Sequence, residues 1–266
     1  MIMKNLFSVV MCFVALGFVS CEKESVQEAP GNIPGMGNNQ GQLEISESFD
    51  MPEDISIVGT ITGAVEEEEI TAASLKSYSN WDSFGSGQDV ILKVTLQNNS
   101  VSRRTVFFPK GLVWKCVAGD FQHGIQIQTT WLNLGAGETR TITIRLYCAN
   151  LHMDTPDYSG IYEILGVTSS KVLWRFLDLI QWRMVNYEMY VDNSLKAGSS
   201  DLPEYTDMAA KLQTMIHKLT DTGETLSDED IAFIESIPEL PVEQRPVLES
   251  DGTYSEDILE YGQSNQ

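Results

Sequence analysis

The chain has 266 residues, 42% of them hydrophobic, with a formal net charge of −21. That hydrophobic content is enough for a core and excludes global disorder. Residues 1–20 carry one charge, Lys4, so the remainder stands near −22. Such a surface lacks the cationic groups that bind nucleic acid by displacing counterions, and anionic lipid repels it.

Met1 to Ser20 places Lys4 ahead of an apolar run from Leu6 to Val19. The run is too short and wrongly flanked for a spanning helix, and it reads as a secretory signal peptide over residues 1–20. The apolar stretch closes on FVSC, Phe18 to Cys21, followed by Glu22, Lys23, Glu24 and Ser25. FVSC resembles the lipobox of bacterial lipoproteins, with Phe18 where that family usually has Leu. The resemblance implies cleavage before Cys21, with small Ser20 in the protease pocket, and a lipid on the Cys21 thiol. Each buried methylene of an acyl chain contributes about 0.8 kcal/mol, so several chains hold stably where one does not. The charged residues after Cys21 are similar to the surface-export signal of Bacteroidota lipoproteins. The implied location is the outer membrane, lipid-anchored, facing the surface or the periplasm. Residues 21–48 include QEAPGNIPGMGNNQGQ, rich in Gly, Pro, Asn and Gln, and read as a flexible tether.

From 49 to 165 the period is two. Ile55, Ile57 and Ile61 share a face. Val90, Leu92, Val94 and Leu96 alternate with Lys93 and Thr95. Leu112, Trp114 and Cys116 form a third set, Ile125, Ile127 and Trp131 a fourth, and Ile142, Ile144, Leu146 and Cys148 a fifth. Asn98-Asn99-Ser100 and Gly135-Ala136-Gly137 punctuate the runs as turns. Short strands with one wet face each predict an antiparallel sandwich. LKVTLQNNS and LGAGETRTITIRL resemble the strand-and-turn phrases of bacterial immunoglobulin-like domains, which implies an Ig-like β-sandwich in a chain that is mainly β with α. Glu66 to Glu69 are four like charges in a row, fit for a solvated loop or edge, and no alternating Asp/Asn/Gly spacing accompanies them to favour Ca²⁺ binding.

Residues 166–240 switch to helical spacing. Leu173, Phe176, Leu177, Ile180, Met184, Tyr187 and Val191 predict one helix over about 171–193. Trp174, Leu179, Trp182 and Val185 lie off that stripe, so the helix is expected to be packed on two sides. Met208, Leu212, Met215, Ile216 and Leu219 predict a second helix. Ser227, with Asp230 three residues on, caps a third that Pro238 and Pro241 end. Residues 241–266 read as an acidic mobile tail.

Few residues carry chemistry. With Cys12 in the signal and Cys21 acylated, Cys116 and Cys148 remain, both on apolar strand faces. A disulfide between them would contribute roughly 3–4 kcal/mol by chain entropy. Cys148, Asn150, His152 and Asp154 lie close in sequence. An extended chain nevertheless puts thiol and imidazole about 10 Å apart, and the acidic setting does not favour a thiolate. His123, His152 and His217 show no metal-ligand spacing, and no motif calls for a cofactor. Trp81, Phe84, Trp114, Trp131 and Tyr147 could stack on a sugar ring or anchor a partner, but Trp114 and Trp131 lie on apolar faces and read as core. Trp81 and Phe84, in the loop-like SNWDSFGSG, are the candidate ligand-binding residues. The function expected is a non-enzymatic binding or accessory module. Its partners would be the membrane, through the lipid, and an envelope or surface protein complex or a glycan. A hydrolase of glycans or peptides and a surface-fibre subunit are the alternatives.

Overall fold

The computed structural model describes residues 28–39, 41–64, 83–191, 202–249 and 254–255. Cys21, the acidic quartet and Trp81 lie outside them. The described strands are β1 (Ile45–Ser48), β2 (Ile55–Ile57), β3 (Ile61–Gly63), β4 (Ser83–Gly85), β5 (Val90–Asn98) and β6 (Arg104–Phe108). They continue with β7 (Leu112–Ala118), β8 (Gly124–Ile125), β9 (Thr130–Leu134), β10 (Thr139–Cys148) and β11 (Ile161–Thr168). The helices described in full are α1 (Lys171–Ile180), α2 (Pro203–His217), which runs into a π turn at Lys218–Thr222, and α3 (Asp228–Ser236).

The expected Ig-like sandwich is not formed. β5 pairs with β3, β3 with β11, β11 with β7, β7 with β8, β8 with β10, and β10 with β5, every pair antiparallel. The ring closes, so these strands make a six-stranded antiparallel barrel. Alternation reports only that a strand has one buried face, which a barrel satisfies as well as a sandwich. Closure depends on β3 and β8, three and two residues long, which bridge the long strands. The remaining strands add to this frame. β1 pairs with β11, β2 with β5, and β4 runs parallel to β10, while β6 and β9 form a separate ribbon.

The faces of β5, β7 and β10 that carry the predicted apolar sets are buried, but the set Ile125, Ile127 and Trp131 is not one face. Residues 126–129 lie between β8 and β9, Trp131 packs in a separate cluster, and Gln126, Gln128 and Thr130 are buried as well. Leu92, Val94, Leu96, Leu112, Trp114, Ile142, Ile144 and Leu146 fill one core, with Val106, Phe108, Leu132 and Leu134 of the ribbon packed into it. The opposite faces of β7, β8 and β10 contribute Val113, Ile125 and Tyr147 to a second core shared with the helices. α1 presents Leu173, Phe176, Leu177 and Ile180 to that core, and α2 presents Met208, Leu212, Met215 and Ile216.

Two local expectations change, and a third, the Ser227 cap, is met. The long helix stops at Ile180, because neighbouring elements engage the backbone beyond it. Gln128 Nε2 donates to the carbonyls of Ile180, Gln181 and Arg183, and Met184 N–H donates to Pro238 O at 2.8 Å. Among the described residues, a helical turn at 188–191 follows. The expected tether is packed from residue 28 to 39. Ile33 and Met36 are 3% and 1% exposed in the helix-side core, and Gly31 N–H and Gly37 N–H donate to Leu219 O and Ala149 O. The Ser227 cap forms as a full capping box with Asp230, and Lys218 Nζ lies 2.6 Å from the same carboxylate. Among the described residues, no helix is long and apolar enough to cross a membrane.

Candidate functional site

Phe84 does not face a ligand. It is 2% exposed in the barrel-side core, with the Arg140 guanidinium 5.4 Å from its ring. The turn-like FGSG around it forms β4 and its exit. There Gly85 and Gly87 let the backbone approach β10 closely.

Cys116 and Cys148 are free, buried thiols, and the expected bridge is not formed. β8 lies between their strands, and Cys148 is level with Gly124, which pairs with Trp114 rather than Cys116. Two strand spacings and a two-residue offset put the Cα atoms roughly 12 Å apart, beyond the limit of about 7 Å for a bridge. Burial pushes the Cys148 thiol up to about 12. Asn150 N–H donates to its sulfur at 3.2 Å, while the Asn150 side chain donates to Gly35 O and Gly37 O, a structural arrangement. Both thiols are expected to resist iodoacetamide at pH 8 in the folded protein. Both should be labelled after denaturation without reductant, as read by mass spectrometry. Failure to label in denaturant would mean that they are bridged.

The histidines serve separate roles. His123 Nδ1 accepts the Cys116 N–H at 3.2 Å, and burial, then Lys115, lowers its pKa. His152 Nε2 lies 3.6 Å from Asp221 Oδ1, and His217 Nε2 is 2.9 Å from Gln213 Nε2. Burial lowers the pKa of His217, against opposing pulls from Asp221 and Asp89. Asp89 is itself raised by burial, against His217. It borders a small cavity of about 230 Å³ beside α2. No group of three or more His, Cys, Asp or Glu among the described residues is arranged to hold a metal.

A cleft of about 760 Å³ lies within the usual size range for small-molecule sites. One wall is β1 with the residues after it, including Phe49 and the exposed Glu47 and Asp50. Another is the Pro109–Lys110 corner with Gln128, Thr129 and Trp131. A third is Trp174 and Gln181–Trp182, from α1 and its exit, and the C-terminal segment brings Leu248 and Tyr254. Five aromatic side chains therefore line it, most of them half-buried.

Several of these groups are held in place. Trp174 Nε1 donates to Thr168 O at 2.8 Å, and Lys110 Nζ sits 5.1 Å from its ring centroid. The same ammonium donates to Asp178 and Gln181, both at 2.8 Å. The Arg245 guanidinium lies 5.3 Å from the Trp182 ring. Tyr254 stacks on Phe107 at 4.8 Å, and its hydroxyl is 3.2 Å from Thr129 Oγ1. Glu47 and Asp50 sit on an exposed rim, and the half-buried Asp89, whose pKa is raised, lines no part of this cleft. The arrangement can stack a ring and hydrogen-bond its edge.

Sequence reasoning places none of these residues in one site, because they come from five separated segments. The available signal was the pair Trp174 and Trp182, off the apolar stripe of their predicted helix. Compared with families of known proteins, with curated proteins and with solved structures, the chain matches none.

Proposed function

We propose that this protein is a lipid-anchored envelope protein that works by binding, with the aromatic cleft as its ligand site. The observation that carries the reading is the cleft itself. It is lined by five aromatic side chains and by neutral hydrogen-bonding groups, and among the described residues its lining contains no cysteine or histidine. General acid catalysis by a carboxyl is served by a buried group with a raised pKa, and Glu47 and Asp50 are exposed. The anchor rests on the FVSC junction and the signal-like segment before it.

Two measurements test this. Cells fed an alkynyl palmitate analogue should label the wild-type protein and retain it in the outer-membrane fraction. Cys21→Ala should lose both label and retention, and an unlabelled wild type would overturn the anchor. Purified protein should leave fluorogenic glycosides and peptides intact. Turnover abolished by a single carboxylate substitution would overturn the binding role and favour a hydrolase.

A further inference from the structure

We infer that the cleft takes a neutral saccharide and that Tyr254 occupies part of the same site as a built-in placeholder. The inference rests on the reading of the protein as a binding module.

The ligand's charge follows from what surrounds the rings. Lys110 and Arg245 already lie against the Trp174 and Trp182 rings. A cationic ligand stacking on those indoles would meet like charge. Glu47 and Asp50 on the rim, in a chain of net charge −21, disfavour an anion. A neutral ligand meets neither penalty.

Its shape follows from the chemistry of the walls. A pyranose ring has C–H faces that pack on indoles and an edge of hydroxyls that donate and accept. The cleft offers indoles held by a backbone hydrogen bond and by cation contacts, so few rotamers are lost on binding. Beside them stand the neutral groups of Gln128 and Thr129. Gln128 is 3% exposed, its amide nitrogen is committed to three carbonyls, and its Oε1 has no hydrogen-bond partner. A buried acceptor without a partner is costly, and a ligand hydroxyl that reaches it recovers that cost.

The structure already holds one hydroxylated ring in this place. Tyr254 stacks on an aromatic neighbour and puts its hydroxyl against Thr129. It comes from the C-terminal segment, tied down by a short bridge between Leu248 and Tyr254. Phe107 lies outside the cleft lining, but Thr129 is the hydrogen-bonding group that a sugar would share, and Tyr254 fills space in the cleft beside it, so sugar and Tyr254 compete there.

The test is a tryptophan-fluorescence titration of the purified full chain. The probes are short oligomers of glucose, mannose and N-acetylglucosamine, with a sulfated oligosaccharide and an arginine-rich peptide as charged comparators. At least one neutral oligomer should give a saturable change. Trp174→Ala and Trp182→Ala, checked for unchanged melting, should each weaken it about tenfold, as loss of a stacked anchor does. Tyr254→Ala should tighten it by about threefold or more, because a competing internal group is removed. The saccharide site is overturned if no neutral oligomer binds wild type or Tyr254→Ala, or if both tryptophan variants bind normally. Binding of a charged comparator alone also overturns it, but leaves the binding-module reading standing. Hydrolysis of a bound oligomer, lost in Glu47→Gln or Asp50→Asn, overturns the binding-module reading and leaves the sugar site.

Discussion

Trp114→Ala is expected to destabilise the protein by about 3–5 kcal/mol, the usual cost of emptying a buried aromatic site. Trp114 is fully buried in the barrel-side core, on β7 between Ile164 of β11 and Gly124 of β8, with Phe108 of the ribbon 5.5 Å from its ring. The indole therefore supports the barrel and the ribbon together. Strands held in a closed ring cannot collapse into the void as a loop can. A loss of that size is a large share of the roughly 5–15 kcal/mol of an ordinary domain. Trp114→Phe gives the control. Its ring keeps most of the volume and removes an indole N–H that has no partner, so the cost should be less than half as large. Urea midpoints of the two variants decide it. Equal losses would mean that the indole nitrogen, and not the volume, matters.

Gly87→Ala is expected to cost about 3 kcal/mol, from overpacking plus backbone strain. Gly87 has φ +112°, and a Cβ there would lie 2.2 Å from Leu146 O and 2.4 Å from Leu146 C. These are backbone atoms of β10, a barrel strand paired along its length with β5. The Tyr205 hydroxyl also accepts the Gly87 N–H at 3.0 Å and donates to its carbonyl at 2.9 Å, so displacement costs α2 a buried clamp. Gly137→Ala is the comparison. Its φ is +67° with nothing within 4 Å of the added methyl, so only the strain of about 1 kcal/mol applies. The melting temperature should fall several degrees further for Gly87→Ala than for Gly137→Ala. Equal falls would show that β4 yields freely to the methyl.

Side-chain faces were legible in the sequence, and neighbours were not. Val90, Leu92, Val94 and Leu96 are all fully buried, as are Ile144, Leu146 and Cys148, because a period of two states which side of a strand is apolar. It does not state which strand lies alongside. β3 and β8 are too short for any period, yet they decide between an open sandwich and a closed barrel. The Ser227 cap was legible because its physics is local. Phe84 was misplaced because Gly85-Ser86-Gly87 has the composition of a turn. The glycines are there to admit β10, and only the position of β10 reveals that. The packed run 28–39 was misread for a related reason. Ile33 and Met36 stand alone among Gly, Pro and Asn, and an irregular segment has no period to show which residues it buries.

That packed run limits how far the body can stand from its anchor. Glu28 already accepts the Lys171 N–H at the start of α1, at 2.8 Å. With the proposed lipid on Cys21, seven covalent steps remain between bilayer and body, a reach of at most about 25 Å. Trp174 follows Lys171 by less than one helical turn, so under that proposal this edge of the cleft would stand near the anchored end of the body. So short a connection would give the molecule an up and a down. Its site would sample chains rooted in the same bilayer more readily than free molecules far above it.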